Sequence, residues 1–405
     1  MRERLKKLKH TWKLIMLVSL VIGAFCYAMF QGGFVSWFLF YSFLPFALYS
    51  MAVAFYPMKD VEVKRQLPKQ EFNAGEPLKV RLILKRSTSF PLFYLMADEV
   101  LGGSLKNAVL RKDSKALLFP GFKKEIIYEY MINELPRGEH IFHSIKLKTG
   151  DLLGLIEKEK ITVSENKILV YPSFTEIIYR PFENHYDQGM AASRERVQRD
   201  TTMAIGVRDY QPGDRFSWIN WKASAKRNDI MTKEFEQRQS HDVLIVMDCA
   251  PEQRFEAIVS FTASIARSIL KKGAQAGLLT VSRERASFPI RGGEAQLQQI
   301  FYHLAKIQPV CAVSVDKVLE TETFYSGENL TMMIVTSNLT KALIEKAGHF
   351  GQKKGRVTLF LIKNEREHPT NEELALKAMG IARGVRIIMV HEQQFDMAFS
   401  EVSMQ

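Results

Sequence analysis

The sequence predicts a two-helix transmembrane hairpin, then a β-sandwich-like domain, then a doubly wound α/β domain. Three observations predict it. No charged residue occurs from Leu14 to Met58. Between residues 61 and 172, short alternating runs are punctuated by turn residues, with no helical period between them. From His241 onward, short apolar runs alternate with amphipathic helical segments, the rhythm of a parallel sheet covered by helices. The boundaries fall at 1–59, 60–172, 173–240 and 241–405, the third being a segment dense in basic and aromatic residues.

The uncharged run is too long for one span and is cut by Gln31-Gly32-Gly33. Spans at about 14–30 and 34–56 would measure roughly 26 and 35 Å as helices, against about 30 Å of hydrocarbon. Pro45 falls inside the second span, where a membrane helix tolerates it. A cleaved signal peptide is the alternative, with Ala24 and Ala28 imitating its small residues, but a second apolar run follows almost at once. Six Lys/Arg precede the first span, and Lys59, Lys64, Arg65 and Lys69 follow the second, while the connecting loop has none. That asymmetry predicts a cell-membrane protein with its N-terminus and globular body in the cytoplasm. Trp37, Tyr41, Tyr49 and Tyr56 suit a membrane helix with interfacial anchors. The lipid bilayer is thus the first predicted partner.

The 405 residues are 46% hydrophobic and 25% charged, proportions of globular domains rather than disorder. The net charge of +12 is concentrated first in the N-terminal segment. The remainder is diffuse and lacks the Arg clusters and stacking aromatics of a nucleic-acid reader, so nucleic acid is not expected as a partner. Cys26, Cys249 and Cys311 are far apart in sequence and provide neither a disulfide framework nor zinc-site spacing.

In the β region the runs Val61–Val63, Leu78–Leu84, Ile126–Tyr130, Ile141–Leu147 and Ile168–Tyr171 read as strands. Asn73-Ala74-Gly75, Pro120-Gly121, Pro136-Arg137-Gly138 and Thr149-Gly150-Asp151 supply the turns. In the α/β region, strands are expected at 243–247, 277–281, 330–336, 356–362 and 385–390. Helices are expected at 255–271, 294–307, 339–348 and 372–382. Ligands of such sheets sit at the carboxyl ends of the strands, which here carry Asp248, Ser282, Thr336, Ser337 and Asn338.

The connecting segment reads Gly206-Val207-Arg208-Asp209-Tyr210-Gln211-Pro212-Gly213-Asp214, then Ile219-Asn220-Trp221-Lys222-Ala223-Ser224-Ala225-Lys226, then Lys233-Glu234-Phe235-Glu236. These runs resemble the signature of the bacterial family catalogued as domain of unknown function 58. Pro136-Arg137-Gly138, Gly150–Leu155 and Val170-Tyr171-Pro172 fall in the order that the same family shows. The resemblance implies two N-terminal membrane helices, a β-rich region and a C-terminal domain like the von Willebrand factor A fold. It also implies association with a MoxR-type AAA ATPase, in the assembly or maturation of protein complexes.

Arg208, Tyr210, Asp214, Trp221, Lys222 and Ser224 are the candidate site residues, with Asp209 and Arg227 beside them. One reading makes them a docking patch anchored by Trp and Arg. The other makes them an ion-paired, tryptophan-packed turn built on Gly213 that joins the two domains. Von Willebrand A domains often hold magnesium through Asp-x-Ser-x-Ser; here the run is Asp248-Cys249-Ala250-Pro251-Glu252. Both serines are missing, so a metal is not expected, and Asp248 reads as a cap of the following helix.

Phosphate-loop, zinc-protease and serine-hydrolase motifs are all absent. His140 and His143 lie three apart in a predicted strand and so face opposite sides. Cys249 has no identifiable base. The sequence therefore predicts a membrane-anchored, non-catalytic scaffold without a cofactor. A hydrolase of envelope metabolism with an unidentified site is the alternative.

Overall fold

The computed structural model describes residues 2–102, 105, 114–180, 204–211, 214, 216–235, 242–282, 285–311, 314–321, 330–365 and 367–400. The chain divides into two compact units, Met1–Ser173 with Tyr302–Ile307, and Phe174–Phe301 with Gln308–Gln405.

The first unit begins with helices α1 (Arg2–Gln31) and α2 (Phe34–Phe55). Their stretches Trp12–Gln31 and Phe34–Phe55 are each long and apolar enough to cross a membrane. Gly32 and Gly33 join them with φ of +57° and +91°, backbone that a side chain would strain. The Ser36 hydroxyl donates to the carbonyls of both glycines, so the tight turn leaves no orphan hydroxyl. Phe25 packs edge-on against Trp37 across the pair. Phe30, Phe34 and Phe38 stay exposed.

Eight strands follow: β1 (Val61–Gln66), β2 (Glu71–Asn73), β3 (Leu78–Arg86), β4 (Leu95–Leu101), β5 (Lys115–Leu118), β6 (Glu125–Ile132), β7 (Gly138–Gly150) and β8 (Glu157–Tyr171). They form a three-stranded sheet, β1-β3-β6, and a five-stranded sheet, β2-β8-β7-β4-β5. Alternation in β3 buries Leu78, Val80, Leu82 and Leu84, which share one core with Leu95, Ala97, Phe142, Ile145 and Leu147 of the other sheet. Each such side chain contributes about 1.5–3 kcal/mol by leaving water. Strands β2, β4 and β5 and the first half of β8 were not expected from sequence. The β8 segment Glu157–Lys167 is buried only partly, at alternate positions, and is paired with β7 with one register shift at Phe142/Ser144.

The second unit opens with β9 (Ala204–Asp209), a short helix α3 (Trp221–Arg227) and β10 (Met231–Phe235), with β9 and β10 paired antiparallel. The sheet elements after it are β11 (Asp242–Met247), α4 (Phe255–Lys271), β12 (Gln275–Val281), β13 (Arg285–Arg291), α5 (Glu294–Lys306), α6 (Val315–Thr321), β14 (Leu330–Thr336), α7 (Lys341–Lys354), β15 (Gly355–Lys363), α8 (Asn371–Ala382) and β16 (Val385–His391). The strand order is β13-β12-β11-β14-β15-β16.

All neighbours in this sheet are parallel except β13, which runs antiparallel at the edge. No strand was expected at β13, which contains Pro289. An edge position tolerates that proline, since one side of the backbone needs no partner. Helices cover both faces. Phe360 of β15 meets Phe261 of α4 at 5.1 Å between ring centroids, whereas its neighbours Leu359 and Leu361 cluster with Leu343, Ile344 and Ala347 of α7.

Candidate functional site: a capped aromatic frame and a closed sheet edge

The predicted site residues share one small frame at the start of the second unit. Ladder bonds between β9 and β10 continue outward, with the Tyr210 amide donating to the Ile230 carbonyl at 2.9 Å and the Asn220 amide to the Met231 carbonyl at 2.8 Å. Arg208 pairs with Asp214, Nη2 to Oδ1 at 2.7 Å, and the other Asp214 oxygen accepts the Gln211 amide at 3.0 Å. The Arg208 guanidinium and that amide hold the Asp214 carboxyl below its usual range. Pro212 and Gly213, on which the turn expectation rested, lie outside the described residues.

Helix α3 is fixed at both ends. The Asn220 side chain accepts the Ala223 amide at its start, and Asn228 closes it in left-handed backbone at φ 60°. Ser224 ties the helix to β10: its hydroxyl donates to the Asn220 carbonyl and accepts the Met231 amide, both at 2.9 Å. Ser224 is thus a framework residue.

Trp221 does not pack into this turn. Its side chain is 70% exposed, with exposed Phe216, Ile230 and Val207 on the same frame. The tryptophan-packed expectation is corrected accordingly; the ion-paired part of it corresponds to Arg208 and Asp214. Lys222, Lys226 and Arg227 are also exposed. Sequence reasoning missed Phe216 and Ile230, which nothing marks as surface residues. The bracketing of α3 by Asn220 and Asn228 was a readable signal that went unused.

The carboxyl edge of the six-stranded sheet is a second cluster. Asp248 does not cap α4. Its carboxylate accepts the Thr336 hydroxyl at 2.7 Å and the Ala250 amide at 3.0 Å, seven residues before the helix begins. The Ser337 hydroxyl bonds Glu252. Arg254 donates to the carbonyls of Ser337 and Ile362 at 3.0 and 3.3 Å and pairs with Glu367 at 3.2 Å. Buried Lys363 lies 3.1 Å from Glu367 and 2.6 Å from Glu373. Burial pushes both carboxyls up, but hydrogen bonds from Lys363 and from backbone amides outweigh it and hold them low.

Asn338 joins through its amide on Thr336 Oγ1, whereas Ser282 bonds the Gln308 carbonyl instead. This edge departs from the magnesium motif in its side chains. Ala250 supplies no side-chain oxygen, Glu252 is engaged by Ser337, and Arg254 already places a cation on the Ser337 carbonyl. Among the described residues no three His, Cys, Asp or Glu cluster as metal ligands. Buried Cys249 has its Sγ 3.7 Å from the Met247 carbonyl.

The family described as "Protein of unknown function DUF58" matches residues 206–401, so its first matched residues are those of the capped frame. A full-length relative, "Uncharacterized protein YeaD" of Bacillus subtilis (strain 168), is 38% identical over 391 residues, covering 96% of this chain and 97% of the relative. The chain belongs to the DUF58 family. Solved structures resemble it only faintly. The CARDB domain of a Pyrococcus furiosus protein is 12% identical with a TM-score of 0.21, covering 27% of this chain and 92% of that one. Cwp6 from Clostridium difficile is 10% identical with a TM-score of 0.19, covering 82% and 45%. Likenesses this faint carry no argument.

Proposed function

We propose that this DUF58 protein is a membrane-anchored, non-catalytic scaffold whose capped frame docks a cytoplasmic protein, a MoxR-type AAA ATPase by family resemblance. The observation that carries the proposal is the exposure of Trp221, with Phe216 and Ile230, on a frame held by the Arg208–Asp214 ion pair and the Ser224 hydrogen bonds. Large aromatics that contribute nothing to their own element's packing are typical anchors of a protein interface. Lys222, Lys226 and Arg227 beside them favour an acidic partner surface. Two long apolar helices with exposed aromatic flanks support the membrane anchor, and basic residues on both flanks support a cytoplasmic body. The helix-covered sheet, with Asp248 and Thr336 at its carboxyl edge, supports a von Willebrand A-like second unit in which ion pairs replace the metal.

The test is direct binding between the detergent-solubilised full chain and a purified MoxR-type ATPase. Trp221→Ala and Phe216→Ala should each weaken binding by about 30-fold, the effect of losing about 2 kcal/mol at an interface anchor. Absence of binding by the unmodified chain, or binding by both variants as tight as that of the unmodified chain, would overturn the proposal.

A further inference from the structure

The segment Gly150–Leu155 is the tip of the β7–β8 hairpin, and it clasps helix α2. Buried Asp151 accepts the Ser50 hydroxyl at 2.6 Å through one oxygen and the Ile156 amide at 2.8 Å through the other. A second loop grips the same turn of the helix. Tyr49 donates its hydroxyl to the Pro91 carbonyl at 3.1 Å and accepts the Phe93 amide at 3.0 Å. Val53 and Ala54 pack on Ile156, with Leu155 and Phe90 alongside. A third loop is bridged to the second by Leu92 and Gly121. Buried Arg86 locks these two together, donating to the carbonyls of Phe90, Gly121 and Lys123 at 2.5–2.6 Å.

Tyr49 and Ser50 sit about 9 Å along the axis before the end of α2. The loops that hold them therefore share the depth of the helix's last turns. Those loops expose Phe93, Phe122, Leu152 and Leu153, with Phe122 as much as 72% accessible, next to exposed Lys123 and Lys124. Phe93 meets Tyr49 of α2 edge-on at 6.3 Å between ring centroids, and Leu48 and Phe55 of the same helix are also exposed.

We infer that these three loops form a collar that seats the first unit in the headgroup–acyl boundary of the bilayer. Phe93, Phe122, Leu152 and Leu153 enter the acyl edge, and Lys123 and Lys124 meet anionic headgroups. The collar explains the Gly-Asp-Leu-Leu-Gly-Leu run as a clasp for a membrane helix, and it makes the hairpin and β unit one rigid insert. It rests on the reading of α1 and α2 as membrane spans.

The test installs p-benzoylphenylalanine singly at positions 93, 122 and 153 of the full chain. The protein is irradiated in nanodiscs of phosphatidylcholine and phosphatidylglycerol, and adducts are read by mass spectrometry. Position 38 in α2 reports the membrane reading itself, and exposed position 129 of β6 reports water. Lipid adducts at 93, 122 and 153 should exceed those at 129 by at least about tenfold, the ratio that about 1.4 kcal/mol of preferential partitioning gives. Lipid adducts at 38 without any at the collar would overturn the inference and leave the spans intact. Their absence at 38 would remove both. Cross-links between two chains from the collar positions would assign this face to a second copy and overturn the inference as well.

Discussion

Arg65 and Glu99 belong to different sheets of the first unit, and both side chains are buried between them. Their contact is 2.8 Å, Nε to Oε1. Arg65 also donates to the Ser164 carbonyl at 2.7 Å and to Asn166 at 2.9 Å, and Tyr130 donates its hydroxyl to Glu99. Burial, and then the charge of Glu99, pushes the Tyr130 phenol far above its usual range, so it remains a donor at any working pH. Removing one member strands the other charge in the core. Glu99→Ala should therefore cost about 3–5 kcal/mol, read from denaturant melts of the solubilised chain. The double change Arg65→Met with Glu99→Leu should recover most of that loss. Half of this latch is legible in the sequence: alternation in Val61-Glu62-Val63-Lys64-Arg65 puts Arg65 on the face of Val61 and Val63. Its partner is not, because no local pattern reveals a carboxylate from the facing sheet.

At the scale of elements, turns and caps decide what the hydrophobic pattern leaves open. Strand β3 was readable because one of its faces is core. The outer part of β8 was not, because its ladder to β7 is held by backbone bonds that leave no compositional trace. Gly150, at the end of β7, is required by space: a Cβ there would sit 2.4 Å from the Tyr94 hydroxyl and 2.7 Å from the Ile156 carbonyl. Gly150→Ala should destabilise the hairpin tip by about 1–3 kcal/mol, seen as faster hydrogen exchange at Asp151 and Ile156. In the candidate site, Asn228 holds φ at 60°. Asn228→Ala should cost about 1–2 kcal/mol, whereas Asn228→Gly should be near neutral, with protection of the Met231 amide as the readout. The motif residues were legible as a group. Their division into frame (Arg208, Asp214, Ser224) and display (Trp221, Lys222) was not, because only the fold separates a paired side chain from an exposed one.

At the scale of the whole molecule, the two units carry different titrating groups and should respond differently to acid. His140 is buried in the first unit with Nε2 2.6 Å from the Pro136 carbonyl. Burial lowers its pKa, and the bond to Pro136 opposes this only in part. The unfolded chain therefore binds a proton more readily, and stability rises with pH through this window. The His140 contribution is fully present above about 6.5, the unfolded value, and is lost as pH falls through the lower folded value. His303 of the same unit is depressed by burial and adds the same sign. In the second unit the ion-paired Glu367 and Glu373 are held low, so their contribution is present above about 4.5 and is lost only below it. Hydrogen exchange followed by mass spectrometry between pH 8 and 4 should show peptides from 61–171 losing protection at a higher pH than peptides from 242–301 and 308–400. His140→Gln should remove part of the slope below about pH 6.5 in the first set and leave the second unchanged. Parallel loss of protection in both sets, or a slope in the first set unaffected by His140→Gln, would show that the buried imidazole does not govern the first unit's acid response.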